Sequence, residues 1–223
     1  MKFMTMAGLL LASTMFTGAT ASAADGDGPW QIRVRAIVID TDDDATITPI
    51  GGNTDHSTEI VPELDISYFF TDNISAELIL ATSKHNGTAV GTALGDVDVG
   101  SVWVLPPTVT AQYHFAPNSS FNPYIGAGVN YTIFYSEGGL PTGSPITDVE
   151  HDASFGPALQ AGVDIKFKED SDWFFNVDVK KIWINTDTTI RTSIDDGAGG
   201  TVTVLGDVNL DPWVFGAGFG RRF

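Results

Sequence analysis

The chain has 223 residues, 28 acidic against 11 basic side chains, a formal net charge of −17, and no cysteine. That balance excludes nucleic acid as a partner, because neutralising phosphates takes clustered Lys and Arg. The lack of cysteine excludes a disulfide scaffold.

Met1–Ala23 carries Lys2, an apolar run from Met4 to Phe16, and small residues closing on Ala21, Ser22 and Ala23. This is the pattern of a cleaved secretory leader with an A-x-A site. The apolar run is shorter than the ~20 residues a helical span requires. The expected organisation is a leader over 1–23 and one domain over 24–223, held by hydrogen bonds and packing alone.

From Trp30 onward the sequence alternates with period two, which marks strands with two different faces. Trp30, Ile32, Val34, Ala36 and Val38 oppose Gln31, Arg33, Arg35, Ile37 and Ile39. Next, Ile60, Leu64, Ile66, Tyr68 and Phe70 oppose Val61, Glu63, Asp65, Ser67 and Phe69. After the turn Thr71-Asp72-Asn73, Ile74, Ala76, Leu78 and Leu80 oppose Ser75, Glu77, Ile79 and Ala81. A fourth strand over about 101–115 sets Val109, Ala111, Tyr113 and Phe115 against Thr108, Thr110, Gln112 and His114, with Pro106 and Pro107 inside it. Beyond Asn118-Ser119-Ser120, Ile125, Ala127, Val129, Tyr131 and Ile133 oppose Gly126, Gly128, Asn130 and Thr132. Strands over 155–167 and 173–184 and the terminal DPWVFGAGFGRRF complete eight. In the last strand Trp213, Phe215, Phe219 and Phe223 share one parity, and Gly216, Gly218 and Gly220 the other.

Connections are short near 71–73, 116–121 and 168–171, and long near 40–59, 84–100, 136–153 and 185–206. Together these features predict an all-β fold: an eight-stranded antiparallel up-and-down transmembrane β-barrel with its aromatic face toward lipid. A soluble sandwich or a lipocalin-like barrel would alternate as well, but would send its charges outward. In this chain the charges oppose the bulky apolar face.

The second parity should therefore line the lumen. Its lower half holds Arg33, Arg35, Glu63, Asp65, Glu77, His114, Asp164, Lys166, Asp178, Lys180 and Arg222, five acids and five bases among them. Isolated buried charges are prohibitive, so a balanced set predicts a cross-paired plug. Eight strands enclose only enough space for side chains to fill. The upper half holds Ile37, Ile39, Val61, Ile79, Val102, Val104, Phe134, Ile182 and Ile184. Such a lining suits a funnel for hydrophobic ligands, while packing beneath extended loops is the competing use of the same residues. Pro106 and Pro107 cannot donate to a ladder. A gap in the wall is expected there, and with it a sideways route into the bilayer.

The stretches LPPTVTAQYHF and NPYIGAGVNYTIFY within Leu105–Tyr135, YFFTDNISAEL at Tyr68–Leu78, and the terminal DPWVFGAGFGRRF resemble the OmpW family of small outer-membrane proteins. The likeness runs over essentially the whole chain after the leader. It implies an eight-stranded barrel whose hydrophobic lumen, above a blocked floor, admits small hydrophobic compounds, alkanes among them for some members. On this resemblance Ile79 falls at an apolar constriction, and Lys180 places a charge where some members carry an aromatic. His85 matches a histidine that follows the third strand. Phe223 matches the closing aromatic by which barrel-assembly machinery selects its clients.

Few residues speak for catalysis or metals. His56, His85, His114 and His151 lack metal-ligand spacing, and no cofactor is expected. Glu150, His151 and Ser154 form the one cluster with nucleophile chemistry, and it reads as chance proximity rather than a catalytic set. No enzymatic activity is expected. Asp40, Asp42, Asp43 and Asp44 concentrate oxygen ligands, yet lack the spacing and glycine of a calcium loop, and read as a solvated acidic loop. The expected function is binding or passive passage of small hydrophobic molecules across an outer membrane, amid its lipid and lipopolysaccharide. The alternative is a non-transporting structural or stress-related barrel whose acidic loops act in adhesion or in phage or colicin docking.

Overall fold

The computed structural model describes residues 28–41, 44–48, 53–56, 59–92, 95–140, 142–168, 171–195 and 197–223. The expected leader and the acids Asp42 and Asp43 lie outside them. Eight staves close the barrel: β1 (Trp30–Asp40), β4 (Glu59–Phe69), β5 (Ile74–Ala81), β8 (Thr108–His114), β9 (Phe121–Gly138), β11 (Ser154–Lys166), β12 (Trp173–Ile182) and β15 (Trp213–Arg222). Every neighbouring pair is antiparallel, and β1 joins β15 from Gln31↔Arg222 to Asp40↔Trp213, which leaves no open edge.

Alternation sorts the side chains. Outward positions such as Val34, Val109, Val129, Leu159, Phe215 and Phe219 are exposed. In water so much apolar surface would drive association; lipid is the solvent that suits it. Aromatic rings gather near the rims, as transmembrane barrels require. Trp30 meets Tyr68 edge-on at 4.9 Å, Tyr68 meets Phe70 at 5.2 Å, and Trp103 stacks on Tyr135 at 6.2 Å.

The turns are tight at one end. Phe70 N donates to Ile74 O at 2.9 Å, Ser119 N to Ala116 O at 3.0 Å, and Ser171 N to Lys168 O at 3.0 Å. At the other end the expected long loops are largely strand, a correction to the sequence reading. β10 (Ile146–His151), β13 (Asn185–Asp195), β14 (Thr201–Asn209) and β2 (Asp44–Thr48) form a separate four-stranded sheet. β6 (Ser83–Thr92) and β7 (Gly95–Leu105) form a hairpin that also carries β3 (Asn53–His56). The segments Thr188-Thr189-Ile190 and Thr201-Val202-Thr203-Val204 are polar enough to pass for loop. Their β-branched side chains nevertheless favour the pleated state, and Val204 is buried against Val99, Ile190 and Val202.

The fourth strand is not continuous either. It divides into β7 and β8 at Pro106 and Pro107, and its neighbour divides into β5 and β6 at Thr82. The ladder between them runs to Ile79↔Thr108 and resumes only at Ser83↔Val104. Neither proline can supply an amide hydrogen to bridge that interval.

In β15 the inward glycines permit close approach. A Cβ at Gly218 would lie 2.1 Å from Val34 O, and one at Gly220 would lie 2.3 Å from Phe174 Cζ. Larger residues at these positions would push the closing strand off its neighbours.

Candidate functional site

The lower lumen is filled by two ionic layers. In the upper one Arg35 sits between Glu63 (Nε–Oε1 3.0 Å), Asp65 (Nη2–Oδ2 2.7 Å) and Asp178 (Nη1–Oδ2 2.6 Å). The first two contacts are short but misaligned as hydrogen bonds, so they act as charge pairs. Lys180 joins the same layer through Glu63 at 2.8 Å and Asp178 at 3.0 Å. In the lower layer Arg33 pairs with Glu77 and, at 2.8 Å, with Asp164. Its guanidinium also lies over the rings of Tyr124 and Phe174, at 4.9 and 5.7 Å.

Amides stitch the layers together. Gln160 Nε2 donates to Glu77 Oε2 at 3.1 Å and to Asp178 Oδ2 at 2.9 Å. Asn176 accepts from Arg35 Nη1 at 3.0 Å and donates to Asp164 Oδ1 at 2.8 Å. Gln112 Nε2 donates to Glu77 Oε2 at 2.6 Å, and Asn122 Nδ2 lies 3.0 Å from His114 Nδ1. Arg33, Asp65, His114 and Asn176 are fully buried. A network this connected holds its charges in place and seals the floor.

Above it the chemistry changes. A cavity of about 70 Å³, within about 860 Å³ of atom-free space that includes its open mouth, is lined by Ile37, Ile39, Ile79, Val102, Val104, Phe134, Ile182 and Ile184. Val61 packs against the same cluster without lining the cavity. Asp211 adopts a φ of 30° between β14 and β15, and its Oδ1 accepts from Ile184 N at 3.0 Å. Leu210 and Pro212, on either side of it, and Val214 in β15 join the lining.

The interval in the ladder opens beside this cavity. Ala81 and Pro106 line the cavity, whereas Thr82 is exposed on the outer face. Pro106 and Pro107 remain tied to β9: Tyr131 N donates to Pro107 O at 3.0 Å, and Asn130 Nδ2 to Pro106 O at 3.1 Å. On the other side Thr82 Oγ1 donates to Val104 O at 3.2 Å and lies 2.7 Å from Tyr135 Oη. The break is therefore one-sided, between β5–β6 and the prolines.

Several sequence-based placements change. Lys166 and Arg222 are only half-buried, near the short-turn end. Arg222 lies 4.0 Å over the Phe69 ring and its Nε donates to Gly28 O at 3.1 Å. The inner plug, among the described residues, thus holds five acids against three bases rather than an even set. Glu63, expected only in the floor, also lines the cavity. His85 is not at a loop's start but buried in β6, its Nε2 2.7 Å from Ser83 Oγ, and it lines the cavity. Glu150 is taken by Arg191 at 3.0 Å, His151 stacks on Phe134 at 5.3 Å, and Ser154 Oγ accepts from Asn185 N at 3.0 Å.

Sequence reasoning missed Tyr124 and Phe174, both buried in the floor, and Val214 in the cavity. Parity alone could have found them, since each alternates with residues assigned outward.

The chain matches the OmpW family profile over residues 26–223. It is 44% identical over 214 residues to the outer-membrane protein y4mB of Sinorhizobium fredii, covering 96% of this chain and 88% of that one. It is 34% identical over 231 residues, the full length of both, to outer membrane protein W of Escherichia coli. The fold superposes on the crystal structure of OprG from Pseudomonas aeruginosa with a TM-score of 0.77 at 30% identity, covering 89% of this chain and 97% of that one. Closed barrel, sealed floor and these likenesses lead to one assignment: the chain is an outer-membrane protein and belongs to the OmpW family.

Proposed function

We propose that this barrel takes small hydrophobic molecules into the apolar cavity from its outer end. It releases them sideways into the bilayer between Leu80–Thr82 and Leu105–Pro107. One observation carries this reading: Ala81 and Pro106 belong both to the cavity wall and to the segments that lack ladder pairing. The ionic floor supports the sideways route, because an apolar solute cannot displace a network of paired charges without leaving them unpaired. Apolar walls with a few polar groups are the usual make-up of a site for such ligands.

We infer two partners besides. The exposed Phe223, whose N donates to Trp30 O at 2.9 Å, is the terminal signal for the barrel-assembly machinery. The outer strands and loops meet lipopolysaccharide.

Vesicles with lipopolysaccharide in the outer leaflet test the proposal. The protein should speed entry of a hydrophobic fluorescent dye over protein-free vesicles. Ile79→Asp, which puts a charge at the cavity's narrow foot, should abolish the gain. Pro106→Ala/Pro107→Ala, which returns two amide donors to the wall, should slow entry severalfold. No acceleration by the wild-type protein rejects the function. Acceleration untouched by the proline changes rejects the sideways route alone.

A further inference from the structure

The floor's charges are unevenly layered. Next to the cavity, Glu63, Asp65 and Asp178 share Arg35 and Lys180, three acids on two bases. Farther down, Glu77 and Asp164 share Arg33, with Lys166 and Arg222 at the far end. The cavity thus looks down on a layer with surplus negative charge. Among the described residues no Lys or Arg lines the cavity, and Glu63 is its one acid.

Glu63 is poised to act on a ligand. It is 3% exposed and lines the foot of the cavity. Arg35 and Lys180 both reach it through Oε1, at 3.0 and 2.8 Å. An ionised carboxylate offers about four acceptor positions over its two oxygens, so Oε2 can accept from an incoming donor. The apolar wall above it runs from Pro106 along the end of β7 to Val102, four residue steps or about 13 Å, enough for a medium-length alkyl chain. Low-dielectric walls extend the reach of the surplus charge, and the chain's net charge of −17 acts in the same sense at the mouth.

Resting on the cavity as the ligand route, we propose that its foot selects apolar molecules ending in a hydrogen-bond donor, such as alkanols, phenols and alkylammonium ions. Glu63 receives the donor, and carboxylates of equal chain length are turned away. Hydrocarbons without a head group enter but gain nothing from Glu63.

Methyl spectra of the protein in lipid nanodiscs at pH 8 test this, with titrations of octane, 1-octanol, octylammonium and octanoate corrected for partition into lipid. Octanol and octylammonium should saturate the shifts at Ile37 and Ile79 at concentrations about tenfold or more below octanoate, the scale of one like-charge contact in a partly dry site. Glu63→Gln should close that difference. Asp65→Asn, which removes surplus charge without touching the ligand-facing group, should narrow it, and stands in if Glu63→Gln does not fold. Octanoate binding as well as octanol in the wild type overturns the selectivity even if octane binds. Methyls unmoved by every compound, octane included, overturn the cavity reading itself and this inference with it.

Discussion

The lower and upper halves of the lumen stand on the same eight staves and the same alternation, yet fill their space by opposite means. Below, Arg33, Arg35 and Lys180 are each fixed by acids and amides at defined distances. Directional partners make that half intolerant of displacement, because an unpaired buried charge is costly. Above, Ile37, Ile182, Ile184 and Val214 cluster through contacts with no direction. The wall follows the same division. Between β5 and β8 the ladder is unbroken beside the floor, from Ile74↔Tyr113 to Ile79↔Thr108, whereas beside the cavity it lapses at two prolines. One half of the barrel is thus given up to directed partners and the other half is left soft.

Substitutions can break that contrast in graded ways. The largest effect should come from Gly218→Val, whose side chain would meet the Val34 carbonyl. The closing strand should fail to seat, and the compact band on unheated electrophoresis should be lost. Arg35→Met should come next, since it leaves Glu63, Asp65 and Asp178 with Lys180 alone. Urea titration in lipid should show a loss of about 3–5 kcal/mol, the cost of breaking a buried pair from one side. An unshifted midpoint would mean the floor is not held by its charges.

A smaller change is expected from Thr82→Val with Tyr135→Phe, which removes the hydroxyls that bridge the lapse in the ladder. Stability should fall by about 1 kcal/mol, and dye entry should rise. Slower entry would show that these hydroxyls assist passage instead of restraining it. The smallest effect belongs to Arg191→Ala on the outer sheet. Its pairs with Asp148 and Glu150 are exposed, and exposed pairs of this kind stabilise little. The unfolding midpoint should stay where it is.

Most of this contrast is legible from period two, which tells in from out. Arg33, Glu77 and Asp164 come from three distant strands, and parity alone turns all three inward. Parity does not tell height. Glu63 and Asp65 share a face, but one lines the cavity and the other is sealed beneath it. Lys166 and Arg222 share Arg33's side of the wall and sit near its mouth, because stave length and stagger, which no local pattern encodes, set the level. Aromatic identity misleads in turn. Phe174 and Tyr124 resemble lipid-facing rings, but glycines opposite them leave the interior room they occupy: a Cβ at Gly220 would meet Phe174, and one at Gly162 would meet the Tyr124 hydroxyl. The outer strands escaped notice because threonine serves both water and the pleated state.

The pairing of β1 with β15 has a consequence for how the molecule is made. These two strands lie at opposite ends of the chain, yet they share an antiparallel ladder from Gln31↔Arg222 to Asp40↔Trp213. Contacts at such sequence separation form slowly. Until they form, β1 presents an unpaired edge on which any other strand can template. The ten residues Trp213–Arg222 end that exposure on two sides at once, since they also pair with β12. Loss of this last strand would therefore do more than shorten the wall: it would leave the nascent chain with two sticky borders and a short life before misassembly.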